Sequence, residues 1–197
     1  MTELLWVLYS TGYLVVAVIF LLLAKKMFDL LTPYSLNVQL TKKDNPAVGL
    51  LLGGFIVGVA IVLCGVFSGS APEVPTWAGF LAEMGPVILY GVVGMVMLFI
   101  AGVINDKVVL RHFSNHKEIV DNQNSAVAVI MAATYIGSGL IVAGGIRSSL
   151  DMVSALLSFA IGQFAFVAFG LLYQLLTKYD DEEELSKNKN LAAGIAF

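Results

Sequence analysis

Two histidines four residues apart come closest to the spacing of a metal site. His112 and His116 would lie on one face of a helix, and Glu118 and Asp121 follow them. Imidazoles at this spacing can bind zinc. The segment lacks the His-Glu-x-x-His arrangement of zinc peptidases. We therefore favour a solvated linker and predict no metal and no cofactor.

A second pattern places an asparagine two residues before an alanine at the start of three apolar runs. The copies are Asn45-Pro46-Ala47, preceded by Asp44, then Asn124-Ser125-Ala126 and Asn190-Leu191-Ala192. An asparagine oxygen can accept a hydrogen bond from a free N–H at a helix start, and proline suits the first helical position. We favour this capping role. The alternative is that three helix N-termini gather at one mouth and attract an anion.

A third candidate is Gln163, which lies in the middle of an apolar run. The small or polar residues that could share its surroundings are Ser154, Ser158, Gly162, Thr134, Tyr135 and Ser138. Such side chains commonly hold membrane helices together. The alternative is a polar route through the protein. We favour packing, because no ionisable residue reaches the middle of an apolar run and ion routes usually use one.

The chain shows no set of residues that would catalyse a reaction. It has no Walker loop and no Ser-His pair at one depth of the apolar runs, and its single cysteine, Cys64, excludes an intramolecular disulfide. We predict that it is not an enzyme.

The composition is that of a membrane protein. Hydrophobic residues make up 58% of the 197 residues and charged residues only 13%, against about 25% charged in soluble domains. Five apolar runs are long enough to cross a bilayer, at 4–24, 46–68, 84–104, 125–147 and 150–176. We predict an all-α polytopic transmembrane helical bundle. The net charge of -3 offers no basic excess for nucleic acid.

The positive charges predict the orientation. Ten of the 11 lysines and arginines fall in three linkers, at 25–45, 105–124 and 177–190, and only Arg147 lies elsewhere. Cytoplasmic loops carry such an excess, so we predict cytoplasmic linkers and an N-terminus outside. Apolar residues between the basic ones suit membrane lipid. The acidic run at 180–184 is a solvated face, or a docking strip for a cytoplasmic protein.

The chain contains an internal repeat. Leu30-Leu31-Thr32-Pro33-Tyr34 recurs as Leu175-Leu176-Thr177-Lys178-Tyr179, in the same register as the first and third asparagine motifs. We predict parallel two-helix units at 1–78, 79–148 and 149–197. The third unit stops early in its second helix, so we interpret the chain as a fragment of a longer protein.

Glycines are spaced for close helix packing. The candidates are Gly54, Gly58, Gly65, Gly137 and Gly162. Small residues let membrane helices approach closely, within one chain or between copies. We predict a homo-oligomer.

Asp44-Asn45-Pro46-Ala47 with the glycines behind it, Asn124-Ser125-Ala126 and Lys189-Asn190-Leu191-Ala192 together resemble the YjfL-type family of small bacterial inner-membrane proteins. That family has no known function and is built from two-helix units. The resemblance implies a bacterial inner membrane and a link to envelope stress. It brings no catalytic residues with it.

Two functions remain. The absence of buried charge favours a structural or scaffolding membrane component. Parallel repeats that enclose Gln163 favour a channel or transporter-like component with a narrow polar route. We favour the first.

Overall fold

The computed structural model describes residues 2–69, 74–148, 151–178 and 180–197, and these residues form helices and no strand. The α-helices are α1 (Thr2–Leu31), α2 (Leu36–Thr41), α3 (Pro46–Phe67), α4 (Trp77–Val108), α5 (Ser125–Ser148), α6 (Met152–Leu176) and α7 (Leu191–Ala196). Two π-helical turns, Lys117–Asp121 and Glu182–Lys187, precede α5 and α7.

Five of the described helices, α1, α3, α4, α5 and α6, are long and apolar enough to cross a membrane. The prediction of an all-α, multi-pass membrane bundle is confirmed. The helices α1 and α4 are longer than the predicted spans 4–24 and 84–104, because helix continues past both ends of each apolar run. Met1, the start of the predicted fifth span at residue 150, the unit boundary at residue 149, and Tyr179 of the repeat lie outside the described residues.

The centre of the bundle is the pair α3 and α5, which pack along their whole length. Phe55, Val59 and Val127 are fully buried between these helices and their neighbours. In contrast, α1 and α6 are mostly exposed and present apolar side chains such as Leu22 and Phe164 to their surroundings. An exposed apolar surface on a spanning helix faces lipid. The order of burial therefore places α3 and α5 inside and α1 and α6 outside.

Glycines let α3 and α5 approach backbone to backbone. A Cβ atom on Gly54 would lie 2.4 Å from the Cα atom of Ala132, and one on Gly65 would lie 2.6 Å from the Cα atom of Ala143. Gly58 lies against the Tyr135 carbonyl in the same way. Side chains at these three positions would force the two helices apart.

The other two predicted packing glycines contact side chains. Gly137 lies under the Phe166 ring, and Gly162 lies against Ile141. Both contacts join α5 to α6. The glycines thus serve packing inside one chain.

The three linkers meet at one end of the bundle, which we call the linker end (residues 32–45, 109–124 and 177–190). Gln123 Nε2 donates to the Lys43 carbonyl at 3.2 Å, and Lys189 Nζ donates to the Asn122 carbonyl at 2.8 Å. These bonds join the first linker to the second and the second to the third. That the linker end faces the cytoplasm stays a prediction.

We expect Gly54→Ala to lower the thermal stability of the purified protein, because the new methyl group would overlap the Ala132 backbone. Overpacking of this kind costs about 1–3 kcal/mol. The matched control is Gly53→Ala, since a Cβ atom there meets nothing within 4 Å. Thermal unfolding in detergent, followed by circular dichroism, measures both. Equal melting temperatures for the two variants would contradict the close approach.

Candidate functional site

Three asparagines begin helices with one shared geometry. Asn45 Oδ1 accepts hydrogen bonds from the Ala47 and Val48 N–H groups at 3.0 and 3.2 Å. Asn124 does the same at the start of α5, and Asn190 at the start of α7. Each side chain therefore satisfies two of the N–H groups that a helix start leaves without partners.

The residue before each asparagine has a left-handed backbone. The φ angles are 47° for Asp44, 50° for Gln123 and 49° for Lys189, and no other described non-glycine residue has a positive φ. This conformation is unfavourable for residues with a Cβ atom. It turns the chain so that the asparagine N–H donates to the carbonyl six residues earlier, as Asn45 does to Gln39 at 3.0 Å.

A polar side chain six residues before each asparagine completes the turn. Gln39 Oε1 accepts from Asn45 Nδ2 at 3.1 Å. Glu118 takes the same role for Asn124 at 2.8 Å, and Glu184 for Asn190 at 2.7 Å. We call the three asparagines and these three acceptors the asparagine network.

Two of the asparagines also bond to the next repeat of the network. Asn45 Nδ2 donates to the Ile119 carbonyl at 2.9 Å, and Asn124 Nδ2 donates to the Leu185 carbonyl at 2.7 Å. Asn45 and Asn124 are buried, whereas Asn190 is half-buried. Within the described residues, the Asn190 amide donates only to Glu184. The network therefore links the first asparagine turn to the second and the second to the third.

Glu118 is the most enclosed carboxylate of the network, with 6% of its surface exposed. Its Oε1 accepts from Asn122 Nδ2 at 2.9 Å and from the Ser186 hydroxyl at 3.1 Å, and its Oε2 accepts from Asn124. A buried carboxylate is tolerated where several donors replace water. Ser186 comes from the third linker, so Glu118 also joins the second linker to the third.

Gln163 contacts one of its predicted partners. The Ser138 hydroxyl donates to Gln163 Oε1 at 3.1 Å, and both side chains are buried. The Gln163 Nε2 group has no hydrogen-bond partner within the described part of the chain. This pair joins α5 to α6 in the middle of the bundle.

The remaining residues of the predicted polar route are dispersed. Thr134 accepts from Asn105 Nδ2 at 2.6 Å, and Tyr135 packs against Phe55 with the ring centres 5.1 Å apart. Ser158 lies against Gly145, and Ser154 bonds to Asp151 at the start of α6. The structure does not bring these side chains together with Gln163.

The two histidines have different neighbours. The His116 ring lies 5.6 Å from the Tyr34 ring, whereas His112 interacts electrostatically with Asp181. Burial and the nearby Asp180 carboxylate raise the pKa of Asp181. In the ranges that the structure describes, no three histidine, cysteine, aspartate or glutamate side chains form a group that could hold a metal ion.

The sequence patterns predict the three asparagines but not their acceptors. Gln39, Glu118 and Glu184 stand at one offset, six residues before the asparagines. That constant offset is visible in the sequence and would have indicated the acceptors. The left-handed residues between them carry no signal, since aspartate, glutamine and lysine share no side-chain property that favours this conformation.

The chain is similar to proteins without an assigned activity. A family model described as "Domain of Unknown Function (DUF350)" matches residues 3–146 and 148–197. A curated relative, a "UPF0719 transmembrane protein" of Aquifex aeolicus (strain VF5), is 28% identical over 135 residues, which cover 68% of this chain and 48% of the relative. The chain thus spans about half the length of that relative. No solved structure matches the chain.

We expect Asn124→Ala to destabilise the protein by about 2–4 kcal/mol, because it removes a helix cap and leaves Glu118 and the Leu185 carbonyl short of donors. Asn190→Ala should destabilise the protein less, since among the described residues the Asn190 amide bonds only to Glu184. Asn37, whose side chain is exposed, supplies the control Asn37→Ala. Thermal unfolding in detergent ranks the three. A fall in melting temperature for Asn37→Ala as large as that for Asn124→Ala would contradict a special role of the asparagine network.

Proposed function

The chain belongs to the DUF350 family, and from this premise we propose that it is a non-enzymatic scaffold of the membrane, built from two-helix units that dock in series. We follow the predicted boundaries 1–78, 79–148 and 149–197 for the units. The observation that carries the proposal is the asparagine network, in which one side chain fixes its own unit and bonds to the next. Repeats that contact only their neighbours in this way form extendable structures.

The third unit supports the proposal, because within the described residues the Asn190 amide keeps one hydrogen without an acceptor. Asn45 and Asn124 each use one amide hydrogen within their unit and one on the next unit. Asn190 uses its amide on Glu184 and is half-buried. A further unit placed there would receive the second hydrogen bond.

The first unit presents the matching acceptor. By the repeat register, the Leu40 carbonyl corresponds to the Ile119 and Leu185 carbonyls. No hydrogen bond from the described residues reaches the Leu40 carbonyl.

A groove of about 440 Å³ is lined in part by Leu40. Four of its lining residues are Leu36, Asn37, Leu40 and Thr41. Seventy-nine residues further on, their counterparts are Asn115, His116, Ile119 and Val120, which line the cavity between the first and second units. The groove is therefore the surface on which a preceding unit would dock.

Charge favours another copy of this chain as the occupant. Lys25 and Lys26 line the groove, and the acidic run at 180–184 lies at the same end of the bundle, on the third unit. We therefore assign the groove to the third unit of a neighbouring copy. A contact between two different surfaces of identical chains produces a ring or an open chain of copies.

Location and partners follow from the sequence. The cation bias supports cytoplasmic linkers in a bacterial inner membrane, and the lipid-facing surfaces of α1 and α6 support direct contact with lipid. The acidic run would be a site for a cytoplasmic protein in copies whose third unit is undocked. The likeness to YjfL-type proteins and the link to envelope stress stay predictions, which deletion of the gene followed by stress-reporter assays would test.

A second candidate, a channel or transporter-like component, has one observation in its favour. The Gln163 Nε2 group is buried without a hydrogen-bond partner among the described residues. A donor left free in the middle of a membrane bundle is costly, and a passing solute or water could satisfy it.

We expect neighbouring copies to be cross-linked by a short bismaleimide when Asn188→Cys and Asp44→Cys are combined in a Cys64→Ala background. These positions correspond to the pairs Asn122 with Lys189 and Lys43 with Gln123, which meet inside one chain. Covalent dimers and larger ladders on a denaturing gel are the expected result.

Two controls make this experiment decisive. Lys43→Cys with Gln123→Cys should react within one chain and give no dimer. Asp44→Cys with Gly69→Cys, which places one cysteine at the opposite end of the bundle, should give none either. Monomer bands alone from the Asn188 and Asp44 pair, together with a monomeric mass in detergent, would refute serial docking between copies.

Liposome flux separates the scaffold from the channel. For a scaffold, we expect vesicles containing the folded protein to stay tight to ions and small solutes, with or without Gln163→Leu. A flux that the wild-type protein supports and Gln163→Leu changes would instead establish a route past Gln163. Protein-free vesicles are the baseline.

A further inference from the structure

A cavity of about 190 Å³ lies at the linker end, where α1, α4 and α5 meet the second linker. Its walls include Tyr34, Asp106, Asn115, His116 and Tyr135. It is smaller than the sites of about 300–1,000 Å³ that hold drug-sized ligands.

Within the described residues, one side-chain atom of the buried Asn115 has no hydrogen-bond partner. The side chain is 4% exposed. Its Nδ2 group donates to Asp106 Oδ1 at 2.6 Å and lies 4.0 Å from the Met131 sulfur, while Oδ1 has no hydrogen-bond partner within the described residues. The carboxylate can only accept, so the amide orientation is fixed and the free atom is an acceptor. A buried acceptor without a donor calls for an explanation.

Asp106 adds negative charge beside this acceptor. Its Oδ2 lies 3.5 Å from Lys107 Nζ, but the Lys107 side chain is 77% exposed. An exposed ion pair of this kind is weak and easily exchanged. A ligand cation can therefore replace Lys107 at Asp106.

The aromatic walls complete the site. The Tyr34 and His116 rings lie 5.6 Å apart, and Tyr135 and Phe28 lie at 6.3 Å deeper in the cavity. Burial raises the pKa of Tyr34 to about 12, so its hydroxyl is neutral near pH 7 and can accept a hydrogen bond. Aromatic faces attract cations.

We propose that this cavity binds a primary ammonium group, with Asp106 as the counter-charge, the Asn115 amide oxygen as a hydrogen-bond acceptor and the aromatic rings as the wall. The volume limits the ligand to a short amine. The ammonium group has two possible sources, a free amine in the cytoplasm or the ethanolamine headgroup of a membrane lipid. Leu31 and Val103, which are exposed at the cavity wall, leave a path from the lipid side.

The test uses the full chain in nanodiscs of phosphatidylglycerol, titrated with ethylammonium chloride at constant ionic strength and followed by calorimetry. We expect saturable binding of ethylammonium and none of tetraethylammonium, because tetraethylammonium has no N–H group to donate to Asn115 or Asp106. Asp106→Asn should raise the dissociation constant about tenfold or more. The matched control is Asp29→Asn, in the groove of the first unit, which should leave the constant unchanged.

A second set of nanodiscs that contain phosphatidylethanolamine identifies the source. If this lipid competes with ethylammonium, the headgroup is the ligand. If it does not compete, the ligand is a free amine. Both results support the ammonium site.

The proposal is overturned if the wild-type protein shows no saturable binding of either source, or binds potassium or tetraethylammonium as well as ethylammonium. Equal effects of the two aspartate substitutions would overturn it too. The wild-type titrations decide the question even if Asp106→Asn does not fold. A negative result would leave serial docking untouched, because the cross-linking experiment does not involve this cavity.

Discussion

The structure depends on the amide group of a buried asparagine at the start of each inner helix. Inside a membrane protein, few water molecules can reach the polar groups of the backbone. Other protein groups must therefore form hydrogen bonds with them. Asn45 satisfies two N–H groups of α3, the Gln39 side chain and a carbonyl of the second linker at once. The left-handed residue before it costs about 1–3 kcal/mol, which these bonds offset. One side chain thus couples the entry angle of a helix to the position of its neighbour.

With their starts fixed in this way, α3 and α5 run parallel and side by side. Apolar side chains alone would not hold them together, since lipid tails solvate leucine as well as another helix does. Close contact supplies the attraction, and Gly54, Gly58 and Gly65 permit it. The helix α7 repeats the arrangement on the other side of α5, where Gly194 lies against the Ala126 carbonyl. Polar bonds at the linker end and backbone contact along the helices therefore support the same serial order of α3, α5 and α7.

Composition and spacing predicted the membrane class, the five spans and the asparagines at the helix starts, because length, polarity and capping are local properties. They did not predict the π-helical turns or the pairing of Asp106 with Asn115. These features depend on contacts between separate segments and on backbone conformations that the side chains do not reveal. The residues of the predicted polar route are dispersed for a related reason. Helical spacing placed Thr134 and Ser138 near one face, but Thr134 bonds to Asn105 and Ser138 to Gln163.

The groove of the predicted first unit and the cavity between the predicted first and second units are corresponding surfaces, but they differ in chemistry. Where the cavity has Asn115, the groove has Leu36, and where the cavity has His116, the groove has Asn37. The groove therefore has no amide at the position of Asn115 and lacks one aromatic wall, and it carries Lys25 and Lys26, which repel a cation. An ammonium ligand would therefore bind only in the cavity inside one chain. Docking between copies in the groove would depend on the acidic run at 180–184. The two proposed activities can thus share one architecture without competing for one site.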